Sequence, residues 1–338
     1  MKIPTIEVKH ICHENDKITS LIDPVSIKRN SPIISSSKVF KRTRDNDNNV
    51  ITQKHDDNKR RKILQKNDLD KKHRTLIMVS EYNEDIFKYL YNREKQIGST
   101  FNYMKDEESP YNFGPSMRAI LIEWLIEVHE KFHYVQETLI LAIAIMDKFL
   151  SQNIVTMSKL QLLAVTSLFI ASKFEEINLP KLSNFAYITD GAASINDIKI
   201  AEAYILKSLK FDISIPNPLN FFAKPTENLN KKLDKKTIII ARYLLEHIYC
   251  CPHFIDLKPS QTSQLALFLA REINANSSNK DVVPPSKDNK QFWNSYEILV
   301  QEISKPSTNL NVLFDKYRSE KYHNVYEEVT EWCSKKPL

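Results

Sequence analysis

The stretch from Leu160 to Phe174 limits the fold more than any other part of the chain. It reads Leu-Gln-Leu-Leu-Ala-Val-Thr-Ser-Leu-Phe-Ile-Ala-Ser-Lys-Phe and is apolar almost all the way round a helix. A helix with no polar face cannot lie on a surface; other helices must surround it. The small residues Ala164, Ser167 and Ala171 let those neighbours approach closely. The expected unit is a bundle wrapped around one buried helix. Strand signals are absent. Only three glycines, Gly98, Gly114 and Gly191, occur in 338 residues, which disfavours turn-rich β folds and Gly-rich phosphate loops. The fold class is all-α.

The charge divides the chain. Residues 1–74 hold 18 Lys+Arg against 10 Asp+Glu, while the remainder holds 30 against 32. That first segment carries one aromatic, Phe40, and cannot bury enough apolar surface to offset its backbone entropy, so residues 1–78 are expected to form a disordered basic tail. Its two basic clusters, Lys41-Arg42-Thr43-Arg44 and Lys59-Arg60-Arg61-Lys62, have the spacing of a bipartite nuclear import signal. A solvated charged tail and DNA contact are the alternatives. From Ser80 a short helix is expected, with Ser80 as N-cap, an acidic first turn, and Ile86, Tyr89 and Leu90 on one side. Helical periodicity then runs over about 116–130, 136–151, 158–174, 179–188 and 195–210. Pro216 and Pro218 interrupt it, and it resumes over about 234–249, 259–274, 290–303 and 308–317. This places one domain at 79–215 and a second at 216–338.

The second domain reads as a copy of the first. At an offset of about a hundred residues, Ser167-Leu168-Phe169-Ile170-Ala171-Ser172-Lys173 falls on Ala266-Leu267-Phe268-Leu269-Ala270-Arg271-Glu272. The same register sets Ala142–Asp147 on Ala241–Glu246. It also pairs Lys173 with Glu272 and Glu202 with Gln301, so these charges differ between copies. Charges the fold does not require twice point to a surface used by one copy. The plainer alternatives are that Lys173 offsets a helix C-terminus and that Glu202 belongs to a solvated charge row with Lys199 and Lys207. Arg118 and Asp147 each sit on an otherwise apolar helix and are read as a buried structural ion pair.

Little catalytic chemistry is legible. His129-Glu130-Lys131-Phe132-His133 matches the zinc motif HExxH, which would make His129, Glu130 and His133 a metalloprotease centre. There is no GxSxG, no phosphate-binding loop and no CxxC pair. Cys250 and Cys251 are adjacent and Cys12 and Cys333 lie near the ends, which reads as a reducing compartment. No apolar run reaches membrane-spanning length, and the polar N-terminus is no signal peptide. A soluble, intracellular, non-catalytic protein without metal or cofactor is expected.

Several segments resemble the cyclin family, most closely the B-type cyclins of fungi. Met117-Arg118-Ala119-Ile120-Leu121 through Trp124-Leu125 resembles the MRxxLxxWL opening of the cyclin box. Asp147-Lys148-Phe149-Leu150 is similar to its second helix, and Ala171-Ser172-Lys173-Phe174-Glu175-Glu176 to its third. Tyr187–Ala192, Pro216–Phe222 and Leu313–Ser319 with Tyr322–Tyr326 extend the likeness over about 79–330. The resemblance implies two tandem cyclin boxes and a regulatory subunit that forms a 1:1 heterodimer with a cyclin-dependent kinase. Lys173 and Glu202 then match the pair that holds the kinase's mobile helix, with Ile170, Phe174, Leu206 and Phe211 as the apolar residues around it. Met117, Ile120, Leu121, Trp124, Glu127 and Gln161 match a groove that docks substrates and inhibitors carrying a basic-x-leucine motif. For Trp124 the alternative is core packing. The family's biology implies residence in the nucleus with a cytoplasmic pool, and turnover through a ubiquitin ligase.

The likeness has gaps. Arg61-Lys62-Ile63-Leu64 fits the RxxL destruction pattern, with Arg61 and Leu64 as its fixed positions, but Asn67 comes earlier than usual and no KEN triplet occurs. Ala223–Asn228 lacks the basic run of many fungal B-type cyclins, which leaves S-phase and mitotic subtypes open. Ser31-Pro32 and Ser109-Pro110 are minimal phosphorylation sites. A two-repeat transcription factor of the same fold is the rival class. It would need a basic face on the repeats, whereas residues 75–338 sum to −2, so neither nucleic acid nor membrane is expected as a partner.

Overall fold

The computed structural model describes residues 82–98, 100–104, 114–223, 234–274, 285–286, 288–306 and 310–336. The expected tail, its import clusters, the RxxL motif, the Ser80 cap and both Ser-Pro pairs lie outside them. The first helix, α1, is Asn83–Ile97. A first set of five follows: α2 Pro115–Phe132, α3 Gln136–Leu150, α4 Leu160–Glu175, α5 Leu182–Ile188 and α6 Ile195–Ser208. A second set comprises α7 Lys235–Cys250, α8 Pro259–Asn274, α9 Lys290–Ser304, α10 Asn311–Arg318 and α11 Val325–Lys335. No strand occurs among the described residues. The all-α expectation holds. The helix at 325–335 escaped the sequence reading because its acidic, single-stripe face buries only Val325, Val329 and Cys333.

α4 is the buried axis of the first set. Every residue from Leu163 to Ser172 is buried on it, as its lack of a polar face requires. It packs against α2, α3 and α6. Helix ends are satisfied in different ways. Pro115 occupies the first turn of α2, where its missing N–H costs nothing. α2 stops at His133, whose left-handed backbone (φ 55°) lets His133 and Tyr134 N–H donate back to the carbonyls of Glu130 and His129. α3 has no cap of its own. Glu176, just past α4, accepts from Val135 N–H at 2.8 Å and Thr138 Oγ1 at 2.6 Å. α6 opens on a capping box, Ser194 and Asp197 exchanging side-chain and backbone hydrogen bonds.

The pair α3–α4 and the pair α7–α8 begin 99 residues apart, the spacing read from the sequence. In each pair the second helix also packs on the element that opens its set, α2 against α4 and the 3-10 segment Pro218–Ala223 against α8.

Buried polar contacts fasten the two sets together. Gln136 donates to Glu246 Oε1 at 2.8 Å and to the Arg242 carbonyl at 3.1 Å. Lys316 on α10 lies between Glu130 of α2, at 2.8 Å, and Glu246 of α7, at 2.9 Å. Glu123 Oε1 accepts from Val312 N–H, capping α10 from the other repeat. The connection Pro216-Asn217-Pro218 is itself buried, and Asn217 donates to the Glu137 carbonyl. α1 reaches across as well: Glu94 accepts from Ser260 N–H and Oγ, both at 2.7 Å, and Tyr91 packs on Phe221 at 5.3 Å. The apolar core runs unbroken through both sets.

One core residue is at odds with its surroundings. His247 is buried between Tyr243 and Phe314, with ring centroids at 5.9 and 6.4 Å, and neither ring nitrogen has a hydrogen-bond partner. Burial pushes its pKa down to about 4. Because the folded-state pKa lies below the unfolded value near 6.5, the fold is undisturbed above pH 6.5 and loses ~1.4 kcal/mol per pH unit below it, until about pH 4. Urea unfolding from pH 7 to 4.5 should therefore fall more steeply for the wild-type chain than for His247→Phe; parallel curves would show that the imidazole is solvated in the fold.

Candidate functional site

Among the described residues, the exposed large apolar side chains all lie before residue 212. A protein that leaves such groups bare on one repeat and covers them on the other has a surface in reserve. Within 174–211 the exposed set is Phe174, Ile177, Leu179, Tyr187, Ile195 and Phe211. The sequence reading named the first and last only. The Ile177-Asn178-Leu179-Pro180 loop was the available signal, since apolar residues in a polar, Pro-bearing turn have no core to enter.

Two charges stand in this region. Lys173 ends α4 and Glu202 lies mid-way along α6, and the packing of these helices brings Lys173 Nζ to 2.6 Å from Glu202 Oε1. The ammonium also rests 4.2 Å from the Phe169 ring centre. The Lys173 side chain is 43 % exposed and that of Glu202 18 %. Such a pair contributes little to stability on its own. It does present a fixed donor and a fixed acceptor side by side. Ile170 is buried beneath it, Leu206 is half-buried, and Phe174 is 53 % exposed.

Phe211 is held in an unusual turn. After Leu209, both Lys210 and Phe211 take left-handed backbone angles, φ 53° and 58°. For residues with a Cβ this costs roughly 1–2 kcal/mol each. Phe211 N–H donates to the Leu206 carbonyl at 2.8 Å, closing the turn, and the ring is left 66 % exposed. The next residue, Asp212, pairs with Arg93 of α1, and its carbonyl accepts from Lys148 Nζ at 3.2 Å.

α2 divides into two stripes. Arg118, Ala119, Ile122, Leu125, Ile126 and His129 are buried. Met117, Leu121 and Trp124 are half-buried against the core, and Ile120 is 55 % exposed. Positions 117, 120, 121, 124 and 127 recur at helical spacing, so they share one side of α2. Glu127 ends that stripe and is paired with Lys131 at 2.7 Å. Gln161 lies half-buried in the first turn of α4, which packs on α2. Trp124 thus edges the core and solvent at once.

The HExxH residues serve other ends. His129 is buried and its Nε2 lies 2.8 Å from the Val135 carbonyl. Glu130 is tied to Lys316, and its carboxyl is held at about 2 by His129 beside it and by Lys316, against the opposing effect of burial. His133 is the exposed left-handed residue at which α2 ends. His133 lies past the last regular turn of α2, and no cluster of three metal-ligating side chains occurs among the described residues, so HExxH here does not form a zinc centre.

Arg118 and Asp147 form a deeply buried ion pair, with side chains 1 % and 7 % exposed. The guanidinium donates from Nε to Oδ1 at 3.1 Å and from Nη2 to Oδ2 at 2.6 Å. Its Nη1 donates to the Cys250 carbonyl, the last of α7, at 3.1 Å, and Tyr103 O–H donates to Asp147 Oδ1 at 2.7 Å. Burial alone would lower the pKa of Arg118, but Asp147 and Tyr103 outweigh it and hold the group charged. Burial and the neighbouring carboxylate push the Tyr103 phenol well above its usual value.

Two family models match the chain in tandem: "Cyclin, N-terminal domain" over residues 85–214 and "Cyclin, C-terminal domain" over 216–331. The chain belongs to the cyclin family. It is 45 % identical over 266 residues to S-phase entry cyclin-6 of Saccharomyces cerevisiae, covering 77 % of this chain and 70 % of that protein. S-phase entry cyclin-5 of the same yeast is 46 % identical over 267 residues, with coverages of 76 % and 61 %. G2/mitotic-specific cyclin cdc13 of Schizosaccharomyces pombe is 35 % identical over 264 residues, with coverages of 78 % and 54 %. The chain thus spans between 54 % and 70 % of the length of these relatives.

Removing one partner of a buried pair leaves the other charge without compensation. Arg118→Ala should cost about 3–5 kcal/mol in chemical denaturation. Arg118→Met combined with Asp147→Leu should recover only part of this, since the Tyr103 hydroxyl and the Cys250 carbonyl still lose their partners. Full recovery in the double variant would show that those two groups find water.

Proposed function

We propose that this chain is the regulatory subunit of a cyclin-dependent serine/threonine kinase, not itself an enzyme. The observation that carries the reading is the Lys173–Glu202 pair, placed at the surface beside exposed Phe174 and near the end of α6 that leads to Phe211. A charged donor and acceptor with apolar groups around them suit a partner helix that offers backbone carbonyls, a polar side chain and an apolar edge. Binding would favour the kinase conformation in which its own Lys–Glu pair is assembled. The kinase retains the catalytic chemistry; this subunit shifts its population.

The second surface is the outer stripe of α2. Half-buried Trp124 beside exposed Ile120, with Glu127 at one end, suits a docking peptide with a leucine and a basic residue. Substrates and inhibitors with that motif are the proposed occupants. The role proposed is progression through S phase, supported by 45–46 % identity to two S-phase entry cyclins against 35 % to a G2/mitotic one. Nuclear residence with a cytoplasmic pool and turnover through a ubiquitin ligase are proposed from the tail motifs at 41–44, 59–62 and 61–64.

Lys173→Glu sets a carboxylate against Glu202 and removes the donor; Glu202→Lys does the reverse. Each should weaken association with a purified kinase subunit by at least about 30-fold, the size expected for losing a desolvated interface charge. Wild-type affinity in both variants would refute the assignment. Trp124→Ala should lower kcat/KM roughly tenfold or more for a substrate carrying the docking motif while leaving a short peptide substrate unchanged. Equal losses on both substrates would place Trp124 in the core instead.

A further inference from the structure

We infer that Arg93, on the helix that precedes the first repeat, is a positioning residue for the kinase-facing Phe211. The inference rests on the kinase-binding reading above and adds to it a residue far from the partner surface in sequence. The turn at Lys210–Phe211 has two consecutive left-handed residues with a Cβ, and Phe211 is 66 % exposed. The local bonds from Phe211 N–H to the Leu206 carbonyl and from Lys210 N–H to the Lys207 carbonyl close the turn, but a conformation disfavoured for both residues, carrying a ring that buries little, gains from further support outside it.

The holding group is Arg93. Its Nη2 pairs with Asp212 Oδ1 and its Nε donates to the Ser214 carbonyl at 3.1 Å. One planar guanidinium therefore fixes two points of the chain immediately after Phe211, which a lysine ammonium cannot do with the same geometry. Lys148 of α3 adds a third point through the Asp212 carbonyl. The Arg93 side chain is only 18 % exposed and already engaged, so it has little to offer a partner directly. α1, which carries Arg93, is fastened to the second repeat through Glu94 and Ser260. Phe211 is thus set by a strut whose other end rests on the second repeat.

The test is a double-variant cycle by calorimetric titration of the full chain with the purified catalytic subunit of a budding-yeast cyclin-dependent kinase. Phe211→Ala should weaken binding about tenfold and Arg93→Ala about fivefold, while the double variant should be no weaker than Phe211→Ala alone. Arg93→Lys, which keeps the charge and loses the fork, should sit between wild type and Arg93→Ala. Independent, multiplying effects of Arg93→Ala and Phe211→Ala would overturn the inference, as would wild-type affinity in Arg93→Ala. Should Arg93→Ala fail to fold, Arg93→Lys carries the cycle, and the same non-additivity with Phe211→Ala is required of it. Lys173→Glu in the same titration separates the two readings. If it binds normally, the kinase face itself is misplaced; if it fails while Arg93 variants bind normally, only the role of Arg93 falls.

Discussion

One buried guanidinium ties together three helices from both repeats. Arg118 grips Asp147 with both arms of its fork, which sets α2 against α3, and its remaining arm reaches the terminal carbonyl of α7. A cation at a helix C-terminus is favourable in its own right, so a single side chain satisfies a carboxylate from one repeat and a helix end from the other. Replacing such a group by apolar residues of equal volume can be harmless in many proteins. Here its donors bring α2, α3 and the end of α7 to one point. The surrounding contacts, Glu123 to α10 and Lys316 between Glu130 and Glu246, repeat that logic.

The helical class and the central position of α4 were legible because they follow from local pattern, an apolar surface right round a helix in a chain almost free of glycine. The charges that would meet across helices were less accessible. Lys173 and Glu202 lie 29 residues apart and were singled out through a family resemblance and through charges that differ between the repeats. Arg93 with Asp212, separated by 119 residues, left no trace in sequence, because a surface arginine and a surface aspartate are ordinary in isolation. The same holds for Glu176, which reads as one acid of an acidic pair and turns out to cap α3.

HExxH illustrates the opposite error. The spacing is right for two imidazoles on one helical face, but the pattern says nothing about where the helix stops. α2 ends at the second histidine, and its left-handed backbone there sends the chain away. What looked like chemistry is a helix terminus, with the glutamate recruited to hold α10.

The buried Pro-Asn-Pro connection and the continuous core couple the two repeats. Local opening of either repeat must expose apolar surface belonging to the other, so their opening free energies are shared and not independent. A ligand seated on the first repeat therefore lends its binding energy to the second. Amide protons in α7 and α8 should therefore exchange more slowly when a partner occupies α4 and α6.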